Sequence, residues 1–211
     1  TSSIPILFME TGLVHNAIGN YAEAGTSYEK ALVIWRQEGN LSWQANLLNN
    51  LGVLRHFQGE YEKAALAFEE GLVCAQRSGY TRMEAAIVIG LGDLYAELED
   101  FNVAQLNYQH AQEIVHRMDD RFLLFYLTMA QANLFLLQKK AREARQLMTS
   151  AAVMIQSGDS LFEKGMLNLG NGRLSLLEGN PIKAVGELEE AERCFSEDES
   201  KLEGDSSRIW L

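Results

Sequence analysis

The sequence predicts an all-α protein built as a solenoid of about five helical hairpins. Three observations support this prediction. Similar residue types recur every forty residues along nearly the whole chain of 211 residues. Within each copy, apolar residues follow the three- and four-residue spacing of amphipathic helices. Glycine or acidic residues separate these helical patterns. A fixed period of this length indicates a stack of repeats rather than one or two ordinary domains.

The forty-residue period is clearest at three positions. A small residue stands at Gly12, Gly52, Gly92, Ala132 and Gly172. An alanine stands in every copy, at Ala24, Ala64, Ala104, Ala144 and Ala184. A large side chain follows one helical turn later, at Tyr28, Phe68, Tyr108, Met148 and Leu188. Because two helices joined by a short turn lie close together near that turn, we expect the small residues at the crossing and the large ones in the wider gap.

The second copy shows how each repeat divides into two helices. Ser42 is a candidate N-cap, and leucines at helical spacing extend the first helix to about Gln58. The second helix runs from Tyr61 to about Ser78, and Gly79 is expected to end it in a left-handed conformation. The other copies repeat this pattern, which predicts ten helices in five antiparallel pairs.

The turns between these helices recur at similar positions in each copy. Acidic pairs stand at two of them, Glu99-Asp100 and Asp119-Asp120, and Gly-Asn or Gly-Asp pairs stand at four: Gly19-Asn20, Gly39-Asn40, Gly158-Asp159 and Gly179-Asn180. Together they divide a solenoid over 1–195 into repeats at about 2–41, 42–80, 81–120, 121–160 and 161–195. We expect 196–211 to be an acidic junction followed by the truncated start of a sixth repeat.

The composition restricts the classes of partner. A net charge of −11 argues against nucleic acid and against an anionic membrane surface, because both require clustered cations. Cys74 and Cys194 lie three periods apart at a slot that is apolar in the other copies, so both thiols are expected to be buried and unpaired. A reducing, cytoplasmic location is the simplest expectation.

The sequence offers no constellation for catalysis, a metal or a cofactor. The four histidines, His15, His56, His110 and His116, form no i, i+4 pair, and none has a cysteine or paired carboxylate at ligand spacing. We expect them to face solvent or a partner. No catalytic residue, metal ligand or cofactor is therefore predicted.

The residues that recur resemble a known family. Leu51-Gly52, Gly59, Tyr61, Ala64, Phe68 and Leu72 look like the signature of the tetratricopeptide repeat (TPR). The resemblance implies a right-handed superhelical solenoid that binds protein partners and has no catalytic activity. The period of forty instead of thirty-four, with Asn49-Asn50 before Leu51, resembles a subgroup that includes kinesin light chains and bacterial maltose-regulator-type transcriptional activators. Ala132 and Lys139 depart from the glycines of the other copies.

In stacks of this family the first helix of each pair lines the concave side, which places a partner-binding groove there. Helical spacing assigns eleven residues to it: Asn46, Asn49, Val53, His56, Asp93, Tyr126, Met129, Asn133, Met166, Leu169 and Arg173. The N-terminal half offers amides and a carboxylate for an extended peptide, and the C-terminal half offers an apolar trough for a helix. Asn49, Asn133 and Arg173 are the candidates for orienting a ligand. The same apolar residues could instead pack together as core.

These features predict a non-catalytic protein-interaction scaffold within a larger bacterial signalling or transcriptional regulatory protein. It would bind a peptide, a helix or another domain of its own chain. One alternative is a small-molecule sensor, with an inducer in the Met- and Tyr-lined trough. The other is a homo-oligomer formed through uncapped ends, because Ile4 to Phe8 and Ile209-Trp210 are apolar where a solenoid needs polar caps.

Overall fold

The computed structural model describes residues 3–155 and 160–202, and these ranges form α-helices joined by tight turns, without any β-strand. The prediction of an all-α solenoid of helical hairpins is confirmed. Ten helices are described in chain order: α1 Ile4–Ala17, α2 Tyr21–Gln37, α3 Leu41–Phe57, α4 Tyr61–Ser78, α5 Thr81–Glu97, α6 Phe101–Met118, α7 Arg121–Leu137, α8 Ala141–Met154, α9 Leu161–Leu177 and α10 Pro181–Leu202.

The helices form two compact units that divide between Met118 and Asp119. Unit 1 contains α1 to α6 and unit 2 contains α7 to α10. In both units each odd-numbered helix packs against the next helix as a hairpin. Consecutive hairpins stack through α2 on α3 and α4 on α5 in unit 1, and through α8 on α9 in unit 2. The first helices also touch each other, α3 with α5 and α7 with α9.

Close approach within a hairpin explains why small and large residues recur at fixed positions of the period. The five recurring alanines are all completely buried. A β-carbon added to Gly52 would lie 2.6 Å from the ring of Phe68, so that ring occupies the space a side chain would need. Phe68 also lies against Gly90 of α5, where an added β-carbon would be 3.0 Å from the ring. The ring therefore borders two consecutive hairpins.

Each unit has its own core of apolar side chains. In unit 1 the fully buried Trp35 stacks on Trp43, with ring centroids 5.5 Å apart, where α2 meets α3. In unit 2 the buried Phe125 and Met129 of α7 pack with Ala151 of α8. Burial of this kind supplies the main favourable term in folding.

One prediction about the helix ends is confirmed and another is wrong. Gly79 adopts a left-handed conformation, with φ of 69°, at the end of α4. Glu99, Asp119 and Lys139 adopt similar conformations with φ of 60°, 52° and 58°, although such values favour glycine. The predicted N-cap at Ser42 is wrong: Asn40 accepts a 3.3 Å hydrogen bond from the Trp43 amide and caps α3. The helix begins earlier than expected because Asn40 directly follows the turn glycine.

Two further predictions concern the cysteines and the C-terminal part of the chain. Cys74 and Cys194 are buried and unpaired, as expected. Helix α10 continues through 195 to Leu202, whereas the sequence predicted a junction from 196. The expected start of a sixth repeat at 208–211 and the predicted Gly158-Asp159 turn lie outside the described residues.

Candidate functional site

The residues assigned to the groove all lie on the first helices of the hairpins. We call the surface that they define the first-helix face, and describe it separately for each unit. In unit 1 it comprises Asn46, Asn49, Val53 and His56 on α3 and Asp93 on α5. In unit 2 it comprises Tyr126, Met129 and Asn133 on α7 and Met166, Leu169 and Arg173 on α9.

The amides of unit 1 are less accessible than the sequence predicted. Asn46 and Asn49 are both buried, with 8% and 6% of their surface exposed. Asn46 accepts a long hydrogen bond of 3.5 Å from the amide of Asn50 on the same helix. A buried polar group needs an internal partner, so burial here favours structural packing over peptide binding. Val53 is half-buried.

The charged groups of unit 1 contact other side chains of the same unit. The Nε2 atom of His56 contacts the Glu97 carboxylate on α5, which links two first helices. The Tyr108 hydroxyl donates a 2.6 Å hydrogen bond to Asp93 within the third hairpin. Sequence reasoning missed Glu97 and Tyr108 as partners. The available signal was that Glu97 follows His56 by 41 residues, close to one period.

In unit 2 the first-helix face is partly core and partly surface. Met129 is buried, and a β-carbon on Gly170 of α9 would lie 2.8 Å from its terminal methyl group. Met129 therefore belongs to the core and not to an open groove. Tyr126, Met166 and Leu169 are half-buried, so part of each side chain is accessible. Tyr126 stacks on Phe122, with ring centroids 6.4 Å apart. The ligand-binding role of these residues stays a prediction.

Arg173 and Asn133 are brought together by the stacking of α7 and α9. Nη1 of Arg173 donates a 3.0 Å hydrogen bond to Oδ1 of Asn133, one period earlier. Arg173 is exposed. Within the described residues its guanidinium has no carboxylate partner, in contrast to Arg36, Arg55 and Arg145. It therefore presents an oriented cation one helical turn from the half-buried Leu169 of the same helix.

The described residues contain no group of three or more His, Cys, Asp or Glu that could hold a metal ion. Burial raises the pKa of the Cys74 thiol and, with Glu190 nearby, that of Cys194, which lowers the fraction of reactive thiolate. His110 and His116 are exposed, as expected, whereas His15 is half-buried. In the part of the chain that the structure covers, no helix is both long and apolar enough to cross a membrane.

Comparison with known families gives a match to the first two hairpins. Residues 5–77 match the family model described as "Tetratricopeptide repeat". This segment covers α1 to α4, including the Gly52–Phe68 crossing. Together with the helical-hairpin fold, the match supports tetratricopeptide-type repeats in α1 to α4. The match does not identify a subgroup, so the likeness to kinesin light chains and maltose-type activators stays a proposal.

Comparison with solved structures shows the same fold. The chain is similar to the crystal structure of BtubC (BKLC) from P. vanneervenii, with 18% identity and a TM-score of 0.65 over 88% of this chain and 77% of that one. A tetratricopeptide repeat protein from Parabacteroides merdae ATCC 43184 has 15% identity and a TM-score of 0.30 over 92% and 94% of the two chains, which is too low to carry an argument. No curated protein sequence matches this chain.

Proposed function

We propose that this protein is a non-catalytic interaction module and that the first-helix face of unit 2 binds a peptide or helix that carries a carboxylate beside an apolar residue. TPR proteins generally mediate contacts between proteins, and the match over residues 5–77 supports that general role. The observation that carries the specific proposal is the oriented Arg173 guanidinium next to the half-buried Leu169.

The chemistry of Arg173 favours an acidic partner. The chain has a net charge of −11, but no carboxylate of the described residues neutralises the exposed Arg173. Its positive charge is therefore available to an acidic partner. A guanidinium can hold a carboxylate through two parallel hydrogen bonds, and the bond to Asn133 limits its orientation. The apolar parts of Tyr126 and Met166 would contact the hydrophobic residue of the same segment.

The structure favours unit 2 over unit 1 as the binding site. In unit 1 the amides are buried, and His56 and Asp93 contact Glu97 and Tyr108. A ligand would have to displace these contacts before it could use the same groups. Arg173 already presents its remaining donors at the surface, and no such displacement is required.

A peptide-display selection tests this proposal. Random peptides would be selected on the wild-type chain and, in parallel, on Arg173→Ala and Arg173→Lys. We expect selected peptides to share an acidic residue near an apolar one, and Arg173→Ala to weaken their binding by about tenfold or more, because a charge-assisted hydrogen bond contributes ~1.5–3 kcal/mol. Arg142→Ala, which removes an exposed arginine from α8, is the matched control. Equal binding to wild type and Arg173→Ala would contradict the proposal.

The small-molecule alternative has less support from the packing. Met129 fills the space beside Gly170, so the expected Met- and Tyr-lined trough is narrower than the sequence suggested. A thermal-shift screen of small molecules would detect such a ligand. Membership of a bacterial regulatory protein is supported by the forty-residue period and by Asn49-Asn50 before Leu51. The cytoplasmic location is supported by the two unpaired cysteines.

A further inference from the structure

Helix α1 exposes apolar residues at positions that are buried in the following repeats. Leu7 and Val14 are 62% and 56% exposed. One and two periods later the corresponding residues of α3 and α5 are at most 3% exposed: Leu47 and Ile87 for the first position, Leu54 and Leu94 for the second. The exposed stripe of α1 therefore corresponds to a surface that is buried by packing in the following repeats.

Contacts inside the units show what covers this surface. The second helix of the preceding hairpin packs on it, as α2 packs on α3 and α8 on α9. A β-carbon on Gly25 of α2 would lie 3.4 Å from Leu54 of α3. Glu29 of α2 forms a 2.8 Å ion pair with Arg55 of α3. These contacts define the register in which a second helix docks on a first helix.

Helix α10 is a second helix whose docking surface is exposed. Val185 lies four periods after Gly25 and one period after Arg145. Arg145 forms an ion pair with Glu178, the C-cap residue of α9. Glu189 lies four periods after Glu29. Val185 is 54% exposed, and Glu189 is exposed as well.

The two exposed surfaces match in the register of the interior junctions. Val14 stands one period before Leu54, the residue that contacts Gly25. Ile18, which is 64% exposed, stands four periods before Glu178. Apolar residues thus occupy the positions of the Arg145–Glu178 ion pair. Val185 replaces the arginine and would contact Val14 and Ile18, of which Ile18 replaces the glutamate. An apolar pair is suited to a contact between separate molecules because its burial is favourable without desolvation of charge.

One polar contact is also matched between the two surfaces. A groove between α1 and α2 is lined by His15, Lys30 and Glu23 among apolar and hydroxyl side chains. His15 stands one period before Arg55, so Glu189 would take the place of Glu29 beside it. An imidazole N–H and a carboxylate can form a hydrogen bond in this register.

We propose that α10 of one molecule docks on α1 and α2 of a second copy of this chain, head to tail, in the register that stacks α2 on α3. The contact joins two different surfaces, so it adds further molecules in an open chain or a closed ring and does not form a two-fold symmetric dimer. It uses neither Arg173 nor any other residue of the first-helix face. Its test is therefore independent of whether the first-helix face binds a peptide.

Sedimentation velocity of the whole 211-residue chain over a wide range of concentrations tests the proposal. The wild type is expected to form oligomers whose size increases with concentration. Val14→Glu and Val185→Glu, both at exposed positions, should each weaken association by about tenfold or more, since each buries an unpaired charge in the contact. Val73→Glu, at an exposed apolar site of α4 outside both surfaces, is the control and should associate like the wild type. Circular dichroism confirms that each variant is folded.

An equimolar mixture of the two variants is decisive. Each keeps one intact surface, so a head-to-tail contact predicts a one-to-one heterodimer that grows no further, because its outer surfaces both carry the substitution. A wild type that is monomeric at every concentration would overturn the proposal. So would undiminished association of Val14→Glu or of Val185→Glu, or a mixture that remains monomeric.

Discussion

Arg173 of α9 donates a hydrogen bond to Asn133 of α7, the residue that holds the same position one repeat earlier. Equivalent residues of consecutive repeats thus touch directly in unit 2. The bond is at the surface, so its net contribution to stability is expected to be small. We expect Arg173→Ala and Asn133→Ala each to lower the free energy of unfolding by less than about 1 kcal/mol, as measured by urea denaturation.

A double-mutant cycle distinguishes this bond from independent effects. Combined substitution should cost less than the sum of the single changes, because either change removes the same hydrogen bond. Strict additivity would show that the two side chains do not interact in solution. A loss of several kcal/mol for either single change would instead mean that the pair is structural, and would weaken its assignment to ligand binding.

The glycine at the hairpin crossing supports a second prediction. Gly52→Ala places a methyl group 2.6 Å from the Phe68 ring, and the ring is also confined by Gly90. We expect a loss of ~1–3 kcal/mol in the free energy of unfolding, because the packed interior must shift. Thermal and urea denaturation measure this change.

Gly186→Ala is the matched control, because no atom lies within 4 Å of a β-carbon added there. Since alanine is the better helix former, this change should stabilise the protein by ~0.5–1 kcal/mol. The same sign for both substitutions would show that the Phe68 ring does not restrict Gly52. Phe68→Leu combined with Gly52→Ala should recover part of the loss.

The turn at Glu99 predicts a stabilising substitution. Glu99 has a φ of 60°, whereas Gly59 at the same position of the preceding repeat has a φ of 73°. A residue with a β-carbon is strained in this region, while glycine costs more chain entropy on folding. Glu99→Gly is therefore expected to raise the free energy of unfolding by up to about 1 kcal/mol.

The reverse change, Gly59→Glu, provides the control and should lower stability by a similar amount. Nothing lies within 4 Å of a β-carbon at Gly59, so steric clash does not enter the comparison. Paired urea denaturation curves measure both variants. A Glu99→Gly variant less stable than the wild type would mean that the acidic side chain makes a contribution larger than the backbone strain.

The raised pKa values of Cys74 and Cys194 predict slow thiol chemistry in the folded protein. Burial is the largest cause of both shifts. Less thiolate is present at a given pH, so reaction with a disulfide reagent near pH 8 should be much slower than after unfolding in guanidinium. The associated stability is fully present below the unfolded pKa and is lost as pH rises through the folded pKa.

An exposed cysteine on the same fold tests whether burial is the reason. Ser150→Cys on α8 is at an exposed site and should react rapidly without denaturant. Fast modification of the native cysteines in the folded wild type would show that the interior opens locally on the reaction timescale.

Periodicity predicted the residues that are equivalent, but not which equivalent residues are accessible. The crossing at Gly52 and Phe68 and the left-handed turn at Gly79 follow from local spacing, and both are present. The burial of Asn49 and Met129 depends on how far one hairpin rotates relative to the next. That rotation is set by side-chain packing between hairpins, for which one sequence gives no direct signal. The N-cap at Asn40 was missed because a nearby serine had similar capping chemistry.

The position of the Phe68 ring between Gly52 and Gly90 has a consequence for how unit 1 comes apart. If the hairpin of α3 and α4 opened alone, it would withdraw the ring and leave a void beside α5. The free energy of that void couples the opening of one hairpin to that of its neighbour. We therefore expect helices α3 to α6 to lose their amide-hydrogen protection together, as one cooperative block, rather than hairpin by hairpin.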